Sequence, residues 1–398
     1  MRSFFLKSLL LSSVAAVSAN ALSLYDTAPA VGMPQSHAIK YHVNGNFGYD
    51  TNVDSKTSGN EDASLYVNAG FGATFADFES VDKISYNFNL GATRYLSGAT
   101  DREMYSDCHL SASITHALNA RSTYSANLNV SYSPEPDYAN GISASHWQGD
   151  CLNWGFSNSY SQSLDSRLSW NMSASYSGNL YSESEYQNDD RQYLNASFGY
   201  TYRASELLSY NASVSYRYDM RNKGYDSNNL TISAGFSRSL DPVSSFTGRI
   251  GLQTKQVHND TILSPNFNLG YNRRLAEGLS INSYLTLSNE NVDTYRGVGM
   301  NYLSDMTWRL GFSANYTLSP DVSFSFGISV MRAQYTKGTG RLDDETNTTI
   351  NPSIGMSYRF TEQLTGNINY QYTLYDTDRS GRDGYTRHNI SGGLSYNF

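Results

Sequence analysis

The chain ends with Ser391-Gly392-Gly393-Leu394-Ser395-Tyr396-Asn397-Phe398, a stretch in which residue character alternates. Even-numbered positions hold a glycine and then apolar or aromatic residues, while odd-numbered positions hold small or polar ones. Successive side chains of a β-strand point to opposite faces, so this period of two predicts a strand that is apolar on one face and wetted on the other.

The same stretch has a definite order: a polar residue, then Gly393, then apolar Tyr396 and the terminal aromatic Phe398. This order resembles the terminal signal by which bacterial outer-membrane barrels are recognised for insertion. The resemblance implies that Gly393, Tyr396 and Phe398 form an assembly signal, read by the barrel-assembly machinery through the C-terminal strand.

The amino terminus has the features of a secretory signal peptide. Arg2 and Lys7 supply its charged region, residues 8–17 are mostly apolar, and Ala19-Asn20-Ala21 provides a small-residue cleavage site. We therefore expect a signal peptide over residues 1–21, a short periplasmic segment over 22–37, and a barrel over 38–398. No later stretch has the ~18 uninterrupted apolar residues of a transmembrane helix.

The charge balance of the chain bears on which kinds of partner it can bind. The chain has 28 Lys and Arg against 36 Asp and Glu, a net charge of -8, and without Arg2 and Lys7 the balance is 26 against 36, or -10. An acidic chain argues against nucleic acid as a partner. Only 16% of the residues are charged, yet mean hydropathy is -0.50, because Ser, Asn, Thr, Gly and 33 Tyr carry the polarity.

Alternating runs recur along the chain from about Ala38 onward, and each pair is joined by a short turn or a longer polar loop. Their apolar positions lie two apart, which excludes an amphipathic helix. We count about eighteen strands, an even number typical of outer-membrane barrels, or sixteen if the runs near Ile250 and Phe267 are miscounted. Lipid offers no partner for unpaired strand edges, so the sequence predicts an all-β, transmembrane, antiparallel up-and-down barrel.

Connection lengths predict the orientation. Short connections, such as those at Asp165-Ser166 and Asp241-Pro242, alternate with long polar ones, such as residues 134–147 and 291–302. In bacterial barrels the short turns are periplasmic and the long loops extracellular. Both termini are therefore expected in the periplasm.

The face opposite the apolar one is rich in Asn, Ser and Gly, so we expect a wet lumen with little charge. The basic residues that parity places on this face are Lys40, Arg217, Arg249, Lys255, Arg309, Arg359 and Arg387. A basic waist would attract anions. The alternative is that these side chains pair with loop carboxylates and leave selectivity weak.

One loop is a candidate constriction. The segment 133–150 follows the fifth strand and contains Glu135, Asp137 and Tyr138. In general porins the loop at this place folds inward, and this segment is similar in position only. The alternative is an ordinary surface loop.

Other chemistry has little support. The chain lacks the Gly-x-Ser-x-Gly, His-Glu-x-x-His and Walker motifs, and we expect no enzyme activity, cofactor or metal site. Cys108 is expected to face outward and Cys151 inward, either as unlinked thiols or, if the strand ends are irregular, as a disulfide.

The mature chain as a whole resembles outer-membrane β-barrel proteins of double-membraned bacteria. Gly48-Tyr49-Asp50-Thr51-Asn52-Val53 is similar to the Gly-Tyr-Asp-x-Asn stretch near the start of the second putative beta-barrel porin family. The resemblance implies a passive channel in outer-membrane lipid for small hydrophilic solutes. A closed barrel acting as a surface scaffold or adhesin is the alternative, and the sequence leaves the oligomeric state open, a homo-oligomer included.

Overall fold

The computed structural model describes residues 39–53, 61–77, 82–96, 104–133, 150–182, 190–222, 225–290, 302–338, 344–378 and 384–398. The predicted signal peptide and the segment 22–37 lie outside these ranges. Within them, no helix has the length and apolarity needed to cross a membrane.

Eighteen β-strands make up the fold. They are β1 (Lys40–Asp50), β2 (Ser64–Asp77), β3 (Asp82–Tyr95), β4 (Met104–Asn119), β5 (Ser122–Ser133), β6 (Cys151–Ser163), β7 (Leu168–Tyr181), β8 (Arg191–Arg203), β9 (Leu208–Arg221), β10 (Ser227–Asp241), β11 (Ser244–Val257), β12 (Asp260–Ala276), β13 (Leu279–Glu290), β14 (Tyr302–Ser319), β15 (Val322–Gly338), β16 (Glu345–Arg359), β17 (Leu364–Thr377) and β18 (Tyr385–Asn397).

The strands form one closed antiparallel barrel. Each strand pairs with its neighbour in sequence, and β1 pairs with β18 from His42 opposite Asn397 to Asp50 opposite Asn389. The predicted class and the count of eighteen are therefore confirmed, and the runs near Ile250 and Phe267 are β11 and β12. Pairing of the first strand with the last leaves no unpaired terminal strand, which is the arrangement that lipid requires.

The period of two decides which side chain faces which side. In β9, Tyr210, Val214 and Tyr216 are 50%, 39% and 41% exposed on the outer surface, while Ser213 and Ser215 between them point inward. The same alternation leaves large apolar side chains exposed on the outer face of nearly every strand. An apolar exterior of this extent matches hydrocarbon rather than water.

Connections of different length separate the two ends of the barrel. At one end, called here the turn end, described turns such as residues 120–121, 242–243 and 320–321 are short. The other, called the loop end, has long connections such as residues 134–150 and 291–301, although β11 and β12 are joined there by residues 258–259 alone. β1 begins and β18 ends at the turn end.

Pairing between β12 and β13 stops short in the loop-end half. The register of β12 with β13 starts at Phe267 opposite Leu287, so residues 260–266 have no partner in β13 although they pair fully with β11. Pro265 lies within this unpaired segment and has no N–H to offer a ladder. The register of β16 with β17 is likewise interrupted at Pro352.

Both cysteines are free thiols, Cys151 buried and Cys108 partly so. Cys108 pairs in register with outward Tyr132, whereas Cys151 pairs with inward Ser133. The thiols lie on opposite faces of the wall, as parity predicts, and are not linked.

Candidate functional site: the lumen of the barrel

Neutral hydroxyl and amide groups line much of the inner wall. They bond across neighbouring strands at Ser85–Ser113 (2.6 Å), Thr115–Ser125 (3.1 Å), Ser173–Ser197 (2.7 Å), Ser213–Ser233 (2.9 Å) and Asn195–Ser175 (2.6 Å). Apart from the buried Ser175 and Ser233, these side chains are only partly buried and keep further capacity to bond water. The inner wall is therefore hydrophilic but nearly uncharged along β5, β6 and β7.

Two of the predicted basic residues point into the lumen without a partner among the described residues. Lys40 lies at the turn end of β1, paired in register with Thr74. Arg249 lies in the middle of β11, opposite Gly235 and Asn268, and is exposed. The positive charge of Arg249 thus stands at mid-depth in the wall.

Two more of the predicted basic residues, Arg359 and Arg387, are hydrogen-bonded at opposite ends of the barrel. At the turn end, Arg359 donates from Nη2 to the carbonyl oxygen of Pro320 at 2.5 Å and lies 3.8 Å from the carboxylate of Asp321. At the loop end, Arg387 donates from Nε and Nη2 to Asp50 Oδ2 at 2.9 and 2.7 Å. Neither guanidinium is a free charge at the waist.

Arg309 and Lys255 also face inward but are engaged. Arg309 forms a bidentate pair with Glu290, in which Nη2 lies 2.8 Å from Oε2. Lys255 is 2% exposed, and its Nζ donates to the backbone oxygen of Glu290 at 2.7 Å. Lys255 therefore does not present its charge to open water, because the loop-end part of β13 covers it.

Arg217 belongs to a charged cluster that the sequence analysis did not identify. Its Nη2 lies 3.9 Å from Asp219, and Arg221 lies 3.7 Å from the same buried carboxylate. The guanidinium carbon atoms of Arg217 and Arg191 stand 4.2 and 5.0 Å from the ring centre of Tyr193. The Arg217 side chain remains 42% exposed, so the positive charge of this residue is accessible from the lumen.

Basic residues are concentrated on one arc of the inner wall. On β8–β14, eight basic residues occupy inward register positions against four acidic ones: Arg191, Arg203, Arg217, Arg221, Arg249, Lys255, Arg274 and Arg309 against Asp219, Asp260, Glu290 and Asp305. The remaining strands place four basic residues inward against three acidic ones: Lys40, Lys83, Arg359 and Arg387 against Asp50, Asp107 and Glu345. The first group is called here the basic arc.

Inward tyrosines near the loop end were also missed. Tyr66, Tyr95 and Tyr105 form a chain across β2, β3 and β4, with ring centres 5.8 and 5.6 Å apart. Tyr375 and Tyr385 form a similar pair on β17 and β18 at 5.3 Å. The parity rule could have found them, since each lies two residues from a polar inward position.

The residues of the predicted terminal signal lie on β18 and just beyond it. Gly393 faces inward, where an added Cβ would lie 1.7 Å from Asn46 Oδ1. The Tyr396 hydroxyl donates to Gln363 Oε1 at 2.8 Å, and the Phe398 N–H donates to the Tyr41 oxygen at 2.8 Å. The candidate constriction residues Glu135, Asp137 and Tyr138 lie outside the described residues.

The stretch Gly48 to Val53 has a clear structural role at the β1–β18 junction. Asp50 is fully buried and accepts hydrogen bonds from Arg387, from Asn389 Nδ2 at 2.9 Å and from the Asn52 N–H at 3.0 Å. The Nδ2 group of Asn52 in turn donates to the backbone carbonyl oxygen of Thr386 at 3.2 Å. We call this set of contacts the closure latch, because it joins the first strand to the last at the loop end.

Comparison with known proteins agrees with this architecture. Residues 246–398, from β11 to the end of the chain, match the family described as Outer membrane protein beta-barrel domain. No curated protein matches the chain.

Several solved structures have similar folds. OccAB2 of Acinetobacter baumannii is 11% identical with a TM-score of 0.48, and the match covers 90% of this chain and 97% of that one. OccK3 (OpdO) of Pseudomonas aeruginosa is 12% identical with a TM-score of 0.48, covering 92% and 96%. The outer membrane protein opdK of Pseudomonas aeruginosa is 10% identical with a TM-score of 0.47, covering 91% and 99%. At these levels the likenesses carry no argument about the function of this chain.

The closed barrel, its apolar exterior and its hydrophilic interior define a transmembrane β-barrel. The β11–β18 part of this barrel is the part that matches the outer-membrane protein beta-barrel domain.

Proposed function

We propose that the protein is a porin-like channel through which small hydrophilic solutes diffuse passively. The observation that carries the proposal is the neutral, partly exposed lining of Ser, Thr and Asn within a closed wall of eighteen strands. Barrels of roughly 16–18 strands enclose more space than their own side chains fill, so such a lumen holds water. The proposal assigns no catalytic step to the protein.

A weak preference for anions forms the second part of the proposal. Positive charge on the basic arc exceeds negative charge, and two of its side chains are exposed to the lumen, Arg249 at mid-depth and Arg217 nearer the loop end. A low-dielectric wall focuses such a field within a narrow conduit. The preference should be weak because Arg309, Arg359 and Arg387 are engaged by carboxylates or carbonyl oxygens.

Orientation and assembly are proposed on the same basis. Short turns at the end that holds both termini fit the periplasmic side, and long loops fit the extracellular side. Gly393 and Tyr396 on β18, with Phe398 just beyond it, would then be available to the assembly machinery before β18 pairs with β1. Outer-membrane lipid covers the apolar face.

Single-channel recording tests the proposal. Purified, detergent-folded protein in a planar bilayer should give stable current steps of uniform size, whereas a closed scaffold or adhesin would stay silent. A reversal potential in a salt gradient should show a modest anion preference. A cation preference would contradict the role given to the basic arc.

A further inference from the structure

The barrel wall is double-layered at the loop end of β11–β14. Leu287, Asn289 and Ser304 occupy outward register positions on β13 and β14, yet they are only 7%, 2% and 5% exposed. The β11–β12 hairpin covers them from outside, because its own outward residues Leu252 and Leu263 remain 59% and 67% exposed. The loop-end parts of β13 and β14 therefore lie inside the hairpin.

Side-chain bonds from β11 hold this inner layer in place. Gln253 Nε2 donates to the backbone carbonyl oxygen of Asn289 at 2.5 Å, and the backbone N–H of Asn289 donates to Gln253 Oε1 at 3.1 Å. The glutamine amide thus replaces the two bonds that a neighbouring strand would make. Lys255 adds a third bond, from Nζ to the Glu290 oxygen at 2.7 Å.

Packing and polar contacts complete the layer. Val257 and Ile262, on the inner face of the hairpin, pack with Leu303 in one buried cluster. Within the layer, Asn289 Nδ2 donates to Ser304 Oγ at 2.9 Å. Asp305 accepts from Thr307 Oγ1 at 2.8 Å. The buried polar side chains of β13 and β14 in this layer are therefore hydrogen-bonded to one another.

We propose that residues 288–290 and 302–307 form the constriction of the channel, and that Gln253 and Lys255 are its positioning residues. Packed sheets lie ~10 Å apart, so a second layer inside the wall narrows the lumen by roughly that distance on one side. Glu290 belongs to this layer, and its ion pair with Arg309 is partly exposed, with side chains 27% and 24% exposed. This inference rests on the proposed channel function.

Thiol labelling tests the layer independently of conduction. In a Cys108→Ser, Cys151→Ser background, Ser264→Cys lies beneath the layer, where the serine is 4% exposed. Ser159→Cys lies on the exposed lumen wall and is the control. In folded protein in detergent, a water-soluble maleimide should label Ser264→Cys at least about tenfold more slowly than Ser159→Cys, because labelling requires local opening.

A second experiment removes the side-chain bonds that hold the inner layer. Gln253→Met keeps the length and volume of the side chain but removes the amide, and Lys255→Met does the same for the ammonium group. Either change should bring Ser264→Cys labelling toward the control rate and raise single-channel conductance about two-fold, since the lumen regains roughly one sheet spacing. Gln371→Met, on an inward glutamine of β17 without a hydrogen bond among the described residues, should change neither.

The outcomes separate the two claims. Equal labelling of Ser264→Cys and Ser159→Cys in the otherwise unaltered protein would overturn the inner layer, and unchanged conductance in folded Gln253→Met and Lys255→Met proteins would overturn its role as the constriction. A wild-type protein that is folded but silent would overturn the proposed channel and, with it, the constriction, while the labelling would still establish or refute the layer.

Discussion

The β1–β18 junction and the β12–β13 junction close the same barrel by different means. Between β1 and β18 the backbone register is continuous over Asp50 and its neighbours, and a buried carboxylate reinforces its loop end. Between β12 and β13 the register stops at Phe267, and Gln253 on β11 reaches the backbone of Asn289 instead. A continuous ladder keeps the wall one layer thick, whereas a broken ladder allows one pair of strands to pass inside another.

The largest expected effect comes from the closure latch. Asp50→Ala leaves the Arg387 guanidinium, 15% exposed, without its buried partner, and we expect a loss of about 3–5 kcal/mol in the free energy of unfolding. Urea unfolding in lipid vesicles measures this loss.

A double-mutant cycle provides the control for the latch. Arg387→Ala removes the other partner, and the double variant should be more stable than the sum of the single losses implies, because neither charge is then left alone. Additive losses would show that the two side chains act separately.

Gly48→Ala should cost about 1–3 kcal/mol, the range for inserting an extra carbon into a packed site. An added Cβ would lie 2.4 Å from the ring of Tyr66, whose hydroxyl donates to Asn389 at 3.0 Å beside the latch. Gly45→Ala is the matched control on the same strand, since its nearest neighbour is 4.0 Å away. Equal unfolding midpoints for the two variants would contradict this assignment.

Gln253→Met should destabilise the barrel less than Asp50→Ala does. It removes two hydrogen bonds to the Asn289 backbone and a longer one to Asn229 Oδ1 at 3.4 Å, each worth about 0.5–1.5 kcal/mol, and leaves the barrel closed by its other ladders. Urea unfolding of both variants in the same vesicles checks the ranking. A greater loss for Gln253→Met would mean that the amide, rather than the latch, is the weak point of closure.

The smallest expected effect lies far from both junctions, in the turn between β6 and β7. The backbone N–H groups of Arg167 and Leu168, 2.6 and 2.8 Å from Asp165 Oδ1, hold the pKa of this carboxyl below its usual range. A carboxyl whose folded pKa is lowered stabilises the fold at neutral pH, and this contribution is lost as pH falls through the folded pKa.

Asp165→Ala should therefore lower the urea midpoint slightly at pH 7, and the difference from wild type should shrink below about pH 4, the usual range of an Asp carboxyl. Unfolding curves at both pH values measure this. A difference that grows on acidification would contradict the hydrogen-bonded turn.

The period of two was sufficient to predict the barrel and the separation of its apolar and polar faces, with a strand count of eighteen or sixteen. It could not show which inward charges are free. Asp50 and Arg387 lie at opposite ends of the chain, and Gln253 on β11 reaches Asn289 on β13 past the intervening strand β12. Neither contact can be predicted from the alternation of residues within one strand. Pro265 was the one local signal of the broken ladder, because a proline inside a strand indicates a place where pairing stops.

The alternation of lumen and lipid faces is tested most directly by cysteine scanning of β9. In the Cys108→Ser, Cys151→Ser background, single cysteines are placed at residues 211–216 and the protein is inserted into liposomes. A water-soluble reagent should label positions 211, 213 and 215, and a lipid-soluble one positions 212, 214 and 216. Uniform labelling, or a repeat of three to four residues, would contradict the two-faced wall on which the channel depends.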